Sequence, residues 1–172
     1  MENSVKSINM IDAVKLFFKN YVNFTGRASR SEYWWFMLAY LIASFVIGFI
    51  EGFVMALMGI YSGVAIVGNI FILAMFIGLL SLNARRLQDR GHSGWWQAAC
   101  YVPIIPMYIF LFQFIFSGFQ NGVGGLIFFA LISIGTSITF IVFCCLPPKE
   151  DENKWGRNPL LPDNIITDQI PD

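Results

Sequence analysis

Residues 82 to 97 read LNARRLQDRGHSGWWQ, a polar stretch in a mostly apolar chain. It carries Arg85, Arg86, Asp89, Arg90, Ser93, the only histidine (His92), and the pair Trp95 and Trp96. An imidazole titrates near neutrality and suits general-base work. Asp89 and Ser93 nearby would complete a serine–histidine–aspartate set. Such sets are assembled by tertiary geometry and seldom by sequence neighbours. GHSGW is also not a nucleophile elbow, because G-x-S-x-G needs glycine at position 95, where Trp95 stands. Gly91 and Gly94 read more simply as turn residues. No catalytic residue is assigned, and enzymatic activity is not expected.

Other candidate chemistry is equally thin. NGVGG (residues 121 to 125) lacks the spacing of a dinucleotide or phosphate loop. Cys100, Cys144 and Cys145 lie within or at the end of apolar runs and read as reduced, small hydrophobes. His92 has no metal-ligand companions, so neither a metal nor a cofactor is expected.

The elements that hold these residues are apolar helices. The 172 residues are 56% hydrophobic and 13% charged, where a soluble domain carries about 25% charge. Four apolar runs cover residues 33–58, 63–82, 95–116 and 124–146. About 20 residues at about 1.5 Å each cross a hydrocarbon core of about 30 Å. The expected fold is an all-α membrane protein with four transmembrane helices forming two hairpins. It makes one four-span domain over residues 1–160, with a disordered tail at 161–172. No cleavable signal peptide is read in the first 33 residues. The connections GIYS and SGFQNGV are short, glycine-bearing and uncharged.

All eleven basic residues fall outside those two connections. Lys6, Lys15, Lys19, Arg27 and Arg30 precede the first span; Arg85, Arg86 and Arg90 lie between the second and third; Lys149, Lys154 and Arg157 follow the fourth. The positive-inside rule then predicts cytoplasmic termini and a cytoplasmic middle loop. Trp34, Trp35, Trp95 and Trp96 open the first and third spans, as interfacial anchors do. Residues 8–22 place Ile11, Val14, Phe18 and Tyr21 on one helical face and Asp12, Lys15 and Lys19 on another. This reads as an amphipathic helix on the inner leaflet, the alternative being a helix docked on the cytoplasmic loops.

GRASRSEYWW (26–35) echoes RRLQDRGHSGWW (85–96), which suggests two parallel two-helix repeats. The echo gathers arginines at one face. Glu32 with Arg85 or Arg86, and Asp89 with Arg30, are the expected latch pairs. The expected contact set for anionic lipid headgroups or a partner is Arg27, Arg30, Arg85, Arg86, Arg90, Trp34, Trp35, Trp95 and Trp96. A dedicated phosphate-ligand pocket is the alternative. A second copy or another membrane protein is a candidate partner; nucleic acid is not. Within the spans, Glu51, Asn69 and Gln113 are the polar residues. Glu51 reads as reaching outer water or serving a proton path, and the two amides as bonding across helices or lining a path. Pro103 and Pro106 should kink the third span. Gly48 and Gly52 form a G-x-x-x-G that would allow close helix approach.

Three stretches together resemble a known family. They are F-x-G-R-A-S-R-S-E-Y-W-W-F (Phe24 to Phe36), R-R-L-Q-D-R-G-H-S-G-W-W (Arg85 to Trp96) and N-K-W-G-R-N-P (Asn153 to Pro159). In this order they are similar to the domain-of-unknown-function 805 family of small bacterial inner-membrane proteins, over about residues 10–160. Gln88 departs from a frequent histidine, and the loop after the first span is unusually glycine-rich. The resemblance implies a four-helix inner-membrane protein and no established reaction, cofactor or substrate. The reading at this level is a structural or regulatory membrane protein. A small transporter or channel component is the alternative, and a membrane enzyme acting on lipid phosphates comes third.

Overall fold

A computed structural model describes residues 8–60 and 64–161. Lys6 and nearly all of the expected disordered tail, residues 162–172, lie outside them. Helix α1 (Met10–Lys19) precedes α2 (Arg30–Leu57) and α3 (Ile66–Asp89). The third span is a 3-10 turn (Gly94–Gln97), then α4 (Ala98–Tyr101) and α5 (Ile104–Phe116). The last helix is α6 (Val123–Cys145), followed by the short strands β1 (Glu152–Asn153) and β2 (Gly156–Arg157). Four segments are long and apolar enough to cross a membrane: Arg30–Leu57, Ile66–Asp89, Gly94–Phe116 and Val123–Cys145. Their outward faces carry side chains such as Phe45, Phe49 and Leu73, which only an apolar surrounding would accommodate.

Local chemistry sets the ends. Ser29 caps α2 by accepting the Glu32 amide at 3.1 Å, a Ser-x-x-Glu start that begins the helix ahead of Tyr33. Helix α3 runs past the apolar run to Asp89. Asn83–Asp89, expected as loop, is therefore helical, because its leucine, alanine, arginine and glutamine residues favour helix and its polar side chains find partners inside the protein. The helix stops at Gly91, whose φ is 80°. There the amides of Gly91 and His92 bond back to the carbonyls of Gln88 and Leu87, each at 3.0 Å, a Schellman stop. The third span breaks at Val102–Pro103, and Pro106 sits in the first turn of α5, where a missing N–H is tolerated. The two halves of the sequence echo thus differ: the first opens one unbroken helix, the second a segmented one.

Helix α2 packs along α3, and α5 along α6. Gly125 admits the Phe110 ring, where a Cβ would lie 2.5 Å from it. Gly48 and Gly52 behave otherwise: a Cβ on either meets nothing within 4 Å. The G-x-x-x-G therefore mediates no helix contact among the described residues. Asn69 and Gln113 are exposed on the helix surface and make no side-chain hydrogen bond among the described residues. The expected bonds across helices are corrected accordingly.

Helix α1 is docked on α2 and α3 themselves. Its buried face is Ala13 and Phe17, leaving Ile11 and Phe18 exposed. The docking stripe is thus displaced from the expected Ile11–Phe18 stripe. Phe17 stacks on Phe36 with centroids 3.7 Å apart, and the Tyr21 hydroxyl donates to the Ala74 carbonyl.

At the opposite end of the bundle, Glu51 is engaged. Its Oε1 accepts the Val67 amide at 2.8 Å and its Oε2 the Gly68 amide at 2.9 Å. These amides belong to the first turn of α3, whose own N-cap residue, Ala65, offers no side-chain bond. A carboxylate from α2 thus caps α3 and meets the positive end of its dipole. The carboxylate expected at outer water or on a proton path is half-exposed at that end and caps a helix there. Glu51→Ala is expected to lower stability by about 1 kcal/mol, and Glu51→Gln, which keeps one acceptor, by less. Denaturant melts in detergent would show this. An unchanged midpoint for the alanine variant would remove the capping role.

Candidate functional site: a buried arginine cluster

The start of α2 and the ends of α3 and α6 meet around Arg27, Arg85, Arg86 and Asp89, all buried. Helical periodicity explains the α3 part: Arg85, Arg86 and Asp89 occupy its last turn and a half, with Arg86 and Asp89 three residues apart on one face. Asp89 Oδ1 accepts Arg27 Nε at 2.8 Å, and Oδ2 accepts Arg86 Nη1 at 2.5 Å. Glu32 Oε1 accepts Arg85 Nη1 at 2.8 Å. Of the anticipated latch pairs, Glu32 takes Arg85. Asp89 takes Arg27 and Arg86 instead of Arg30, which is exposed.

Backbone carbonyls supply the rest of the acceptors. Arg86 donates from Nε and Nη2 to the Cys144 carbonyl, at 3.1 and 2.9 Å, and from Nη2 to Leu146 at 2.5 Å. Its Nη1 also reaches the Ala28 carbonyl at 3.2 Å. A guanidinium at the last carbonyls of α6 satisfies orphan acceptors and meets the negative end of the dipole. Arg90 Nη1 donates to the Pro147 carbonyl at 2.5 Å.

Arg27 holds the C-terminal segment. Its Nη1 donates to the carbonyls of Asp151 and Gly156, both at 3.1 Å, and Nη2 to Glu150 at 2.9 Å. Asn153 Nδ2 donates to the Gln88 carbonyl at 2.9 Å, and Gln88 Nε2 to the Phe24 carbonyl at 2.8 Å. The stretch after Pro147 closes as the β1–β2 hairpin. Glu152 pairs with Arg157 and Asn153 with Gly156. Gly156 supplies the positive φ of 119° that the turn demands.

The expected headgroup contacts divide accordingly. Arg27, Arg85 and Arg86 are turned inward and bonded within the protein, which corrects the expectation that they face headgroups. Trp34, Trp35, Trp95 and Trp96 are exposed together with Arg30, and Arg90 is half-buried. A groove of about 610 Å³ is walled by Arg30, Ser31, Trp34, Trp35, Leu38 and residues of the C-terminal side. His92 lies edge-on to Phe143, centroids 5.0 Å apart, and to Trp96 at 6.0 Å. Both carboxylate oxygens of Asp89 are taken by arginines, and Ser93 Oγ accepts the Trp95 amide at 3.4 Å. His92 and Asp89 share no hydrogen bond among the described residues. Cys144 is buried, Cys100 half-buried and Cys145 exposed, all as free thiols.

Four apolar helices, closed at one end by buried ion pairs, define an integral membrane protein. The chain belongs to the family described as protein of unknown function (DUF805), whose model matches residues 21–157. It is 35% identical over 146 residues to the inner membrane protein YhaH of Escherichia coli (strain K12), covering 83% of this chain and 92% of that protein. It is 36% identical over 100 residues to the inner membrane protein YhaI of the same strain, covering 58% of this chain and 80% of that protein. No solved structure matches. The three stretches that carry the family resemblance are the three that meet here: Arg27 from the first, Gln88 and Asp89 from the second, and the Asn153–Arg157 hairpin from the third.

Proposed function

We propose that the protein is a non-enzymatic structural or regulatory component of the bacterial inner membrane that binds anionic lipid headgroups at its cytoplasmic face. In this reading the spans form two hairpins, both termini are cytoplasmic, and the exposed Ile11 and Phe18 of α1 dip into the inner leaflet. The inner-membrane relatives support the location. The orientation rests on the eleven basic residues, none of which falls between α2 and α3 or between α5 and α6. The observation that carries the binding function is the Arg30–Trp34–Trp35 groove. It offers one exposed cation flanked by two exposed indoles where an interfacial headgroup sits.

The test is lipid retention. Protein purified in mild detergent and offered phosphatidylglycerol or phosphatidylcholine is expected to retain the anionic lipid preferentially. Arg30→Gln combined with Trp34→Ala should reduce that retention several-fold, in keeping with about 1 kcal/mol for a basic residue near an anionic surface. Equal retention of the two lipids, or an unaffected double variant, would remove the reading. Reporter fusions at Ser62 and Asn121 should give periplasmic signals, and a cytoplasmic signal at either would overturn the orientation.

A further inference from the structure

Arg85 differs from its neighbour Arg86 in one respect. Every nitrogen of Arg86 is bonded, whereas Arg85 is held only through Nη1, to Glu32. Its Nε and Nη2 are buried and have no partner among the described residues. A buried N–H left unmade costs about 1–3 kcal/mol, so two on one side chain call for an acceptor. The pair has a defined shape. Nε and Nη2 form one edge of the planar guanidinium fork, the edge that grips two oxygens of one carboxylate or phosphate.

Arg85 forms part of the wall of a cavity of about 500 Å³, within the size range of small-molecule sites. Its polar side chains are drawn from separate segments: Asp12 and Lys15 on α1, Asn23 and Thr25 on the connection to α2, and Glu32 on α2. It shares no residue with the Arg30–Trp35 groove. We propose that this cavity binds a small oxyanion, a carboxylate or a phosphate, through the Nε–Nη2 edge of Arg85, with Lys15 adding positive charge. Asp12 and Glu32 on the same wall disfavour a dense dianion and accept an ammonium on the same ligand. The fitting chemistry is therefore a monoanion or a zwitterion. Glu32 gains a second role, since it holds the guanidinium by Nη1 and leaves the opposite edge for the ligand.

The experiment uses the full chain in detergent, delipidated, titrated calorimetrically with acetate, inorganic phosphate and glycerophosphoethanolamine. Saturable binding of at least one probe is expected. Arg85→Lys, which keeps the charge and loses the two-pronged edge, should weaken it at least tenfold, and Lys15→Gln several-fold, with helix content unchanged. Should Arg85→Lys fail to fold, Lys15→Gln at an exposed position carries the test. A parallel arm identifies lipid retained by protein that was never delipidated. Phospholipid held stoichiometrically by the wild type and lost from the variants marks a lipid headgroup as the source. Saturation by acetate or phosphate without retained lipid marks a soluble oxyanion. Absence of both in the wild type, or equal binding by wild type and variants, overturns the proposal.

Discussion

Arg86→Ala is expected to cost the fold about 3–5 kcal/mol, the range for removing one partner of a buried charge pair. The side chain is fully buried and joins three segments: the Ala28 carbonyl before α2, Asp89 on its own helix, and the Cys144 and Leu146 carbonyls at the end of α6. Its loss leaves Asp89 with Arg27 alone and strips the end of α6 of its cation. Arg86→Lys should rescue little, because an ammonium cannot present the planar fork that spans these acceptors. Removing both charges, as Arg86→Met with Asp89→Asn, should cost less than the sum of the single changes, since the Arg86–Asp89 pair is then lost only once, while Arg27 loses its carboxylate in either case that removes Asp89. Arg30→Ala is the control. It is exposed, and its expected effect lies within about 0.5 kcal/mol. Denaturant unfolding in mild detergent followed by helix content would measure these variants and the two single changes of the pair. An Arg86→Ala midpoint matching that of Arg30→Ala would show that the guanidinium does not close this end of the bundle.

The spans were legible because each presents about 20 apolar residues, and nothing but a helix satisfies its own backbone in lipid. Their ends were less so. Asn83–Asp89 loses hydropathy and reads as loop, yet the helix continues because Arg85, Arg86 and Asp89 find partners within the protein. Charge in a sequence marks a side chain as polar and leaves its partner unnamed. Most acceptors of Arg27 and Arg86 are backbone carbonyls, at Cys144, Leu146, Glu150, Asp151 and Gly156, and carbonyls carry no signature in residue identity. Glu51 misleads for the same reason, since its partners are the amides of Val67 and Gly68. Two features that hydropathy and charge do not register would have marked local structure. Ser29 followed by Glu32 is a capping box that places the start of α2 ahead of Tyr33, and N-K-W-G is a turn pattern that marks the β1–β2 hairpin. That the three family stretches meet around Arg27 and Asp89 follows from contacts spanning more than sixty residues, which local pattern cannot supply.

Phe17→Ala is expected to release α1 from the bundle, at about 3–5 kcal/mol for a buried phenylalanine. The ring is fully buried, stacked on Phe36 at 3.7 Å and set edge-on to Tyr21 at 5.8 Å. It lies in a notch that α3 leaves by having glycine at position 78, where an added Cβ would stand 2.2 Å from Phe17 Cζ. Gly78→Val should therefore weaken the same docking from the other side, by about 1–3 kcal/mol for overpacking. Either variant should expose the Asn20–Thr25 connection to protease in detergent, while the Arg86–Asp89 and Arg27–Asp89 pairs keep the end of α3 tied to its neighbours. The double variant is the sharper measurement. Alanine at 17 vacates part of the space that valine at 78 invades, the Tyr21 ring 2.6 Å from the added Cβ occupying the rest, so the two costs should fall short of their sum. Strict additivity would show that ring and notch do not meet, and the docked position of α1 would then have to be abandoned. Because Asp12 and Lys15 of α1 wall the Arg85 cavity, the same release should also weaken oxyanion binding in proportion to the undocked fraction. A helix that merely rested on the lipid surface would not produce that coupling.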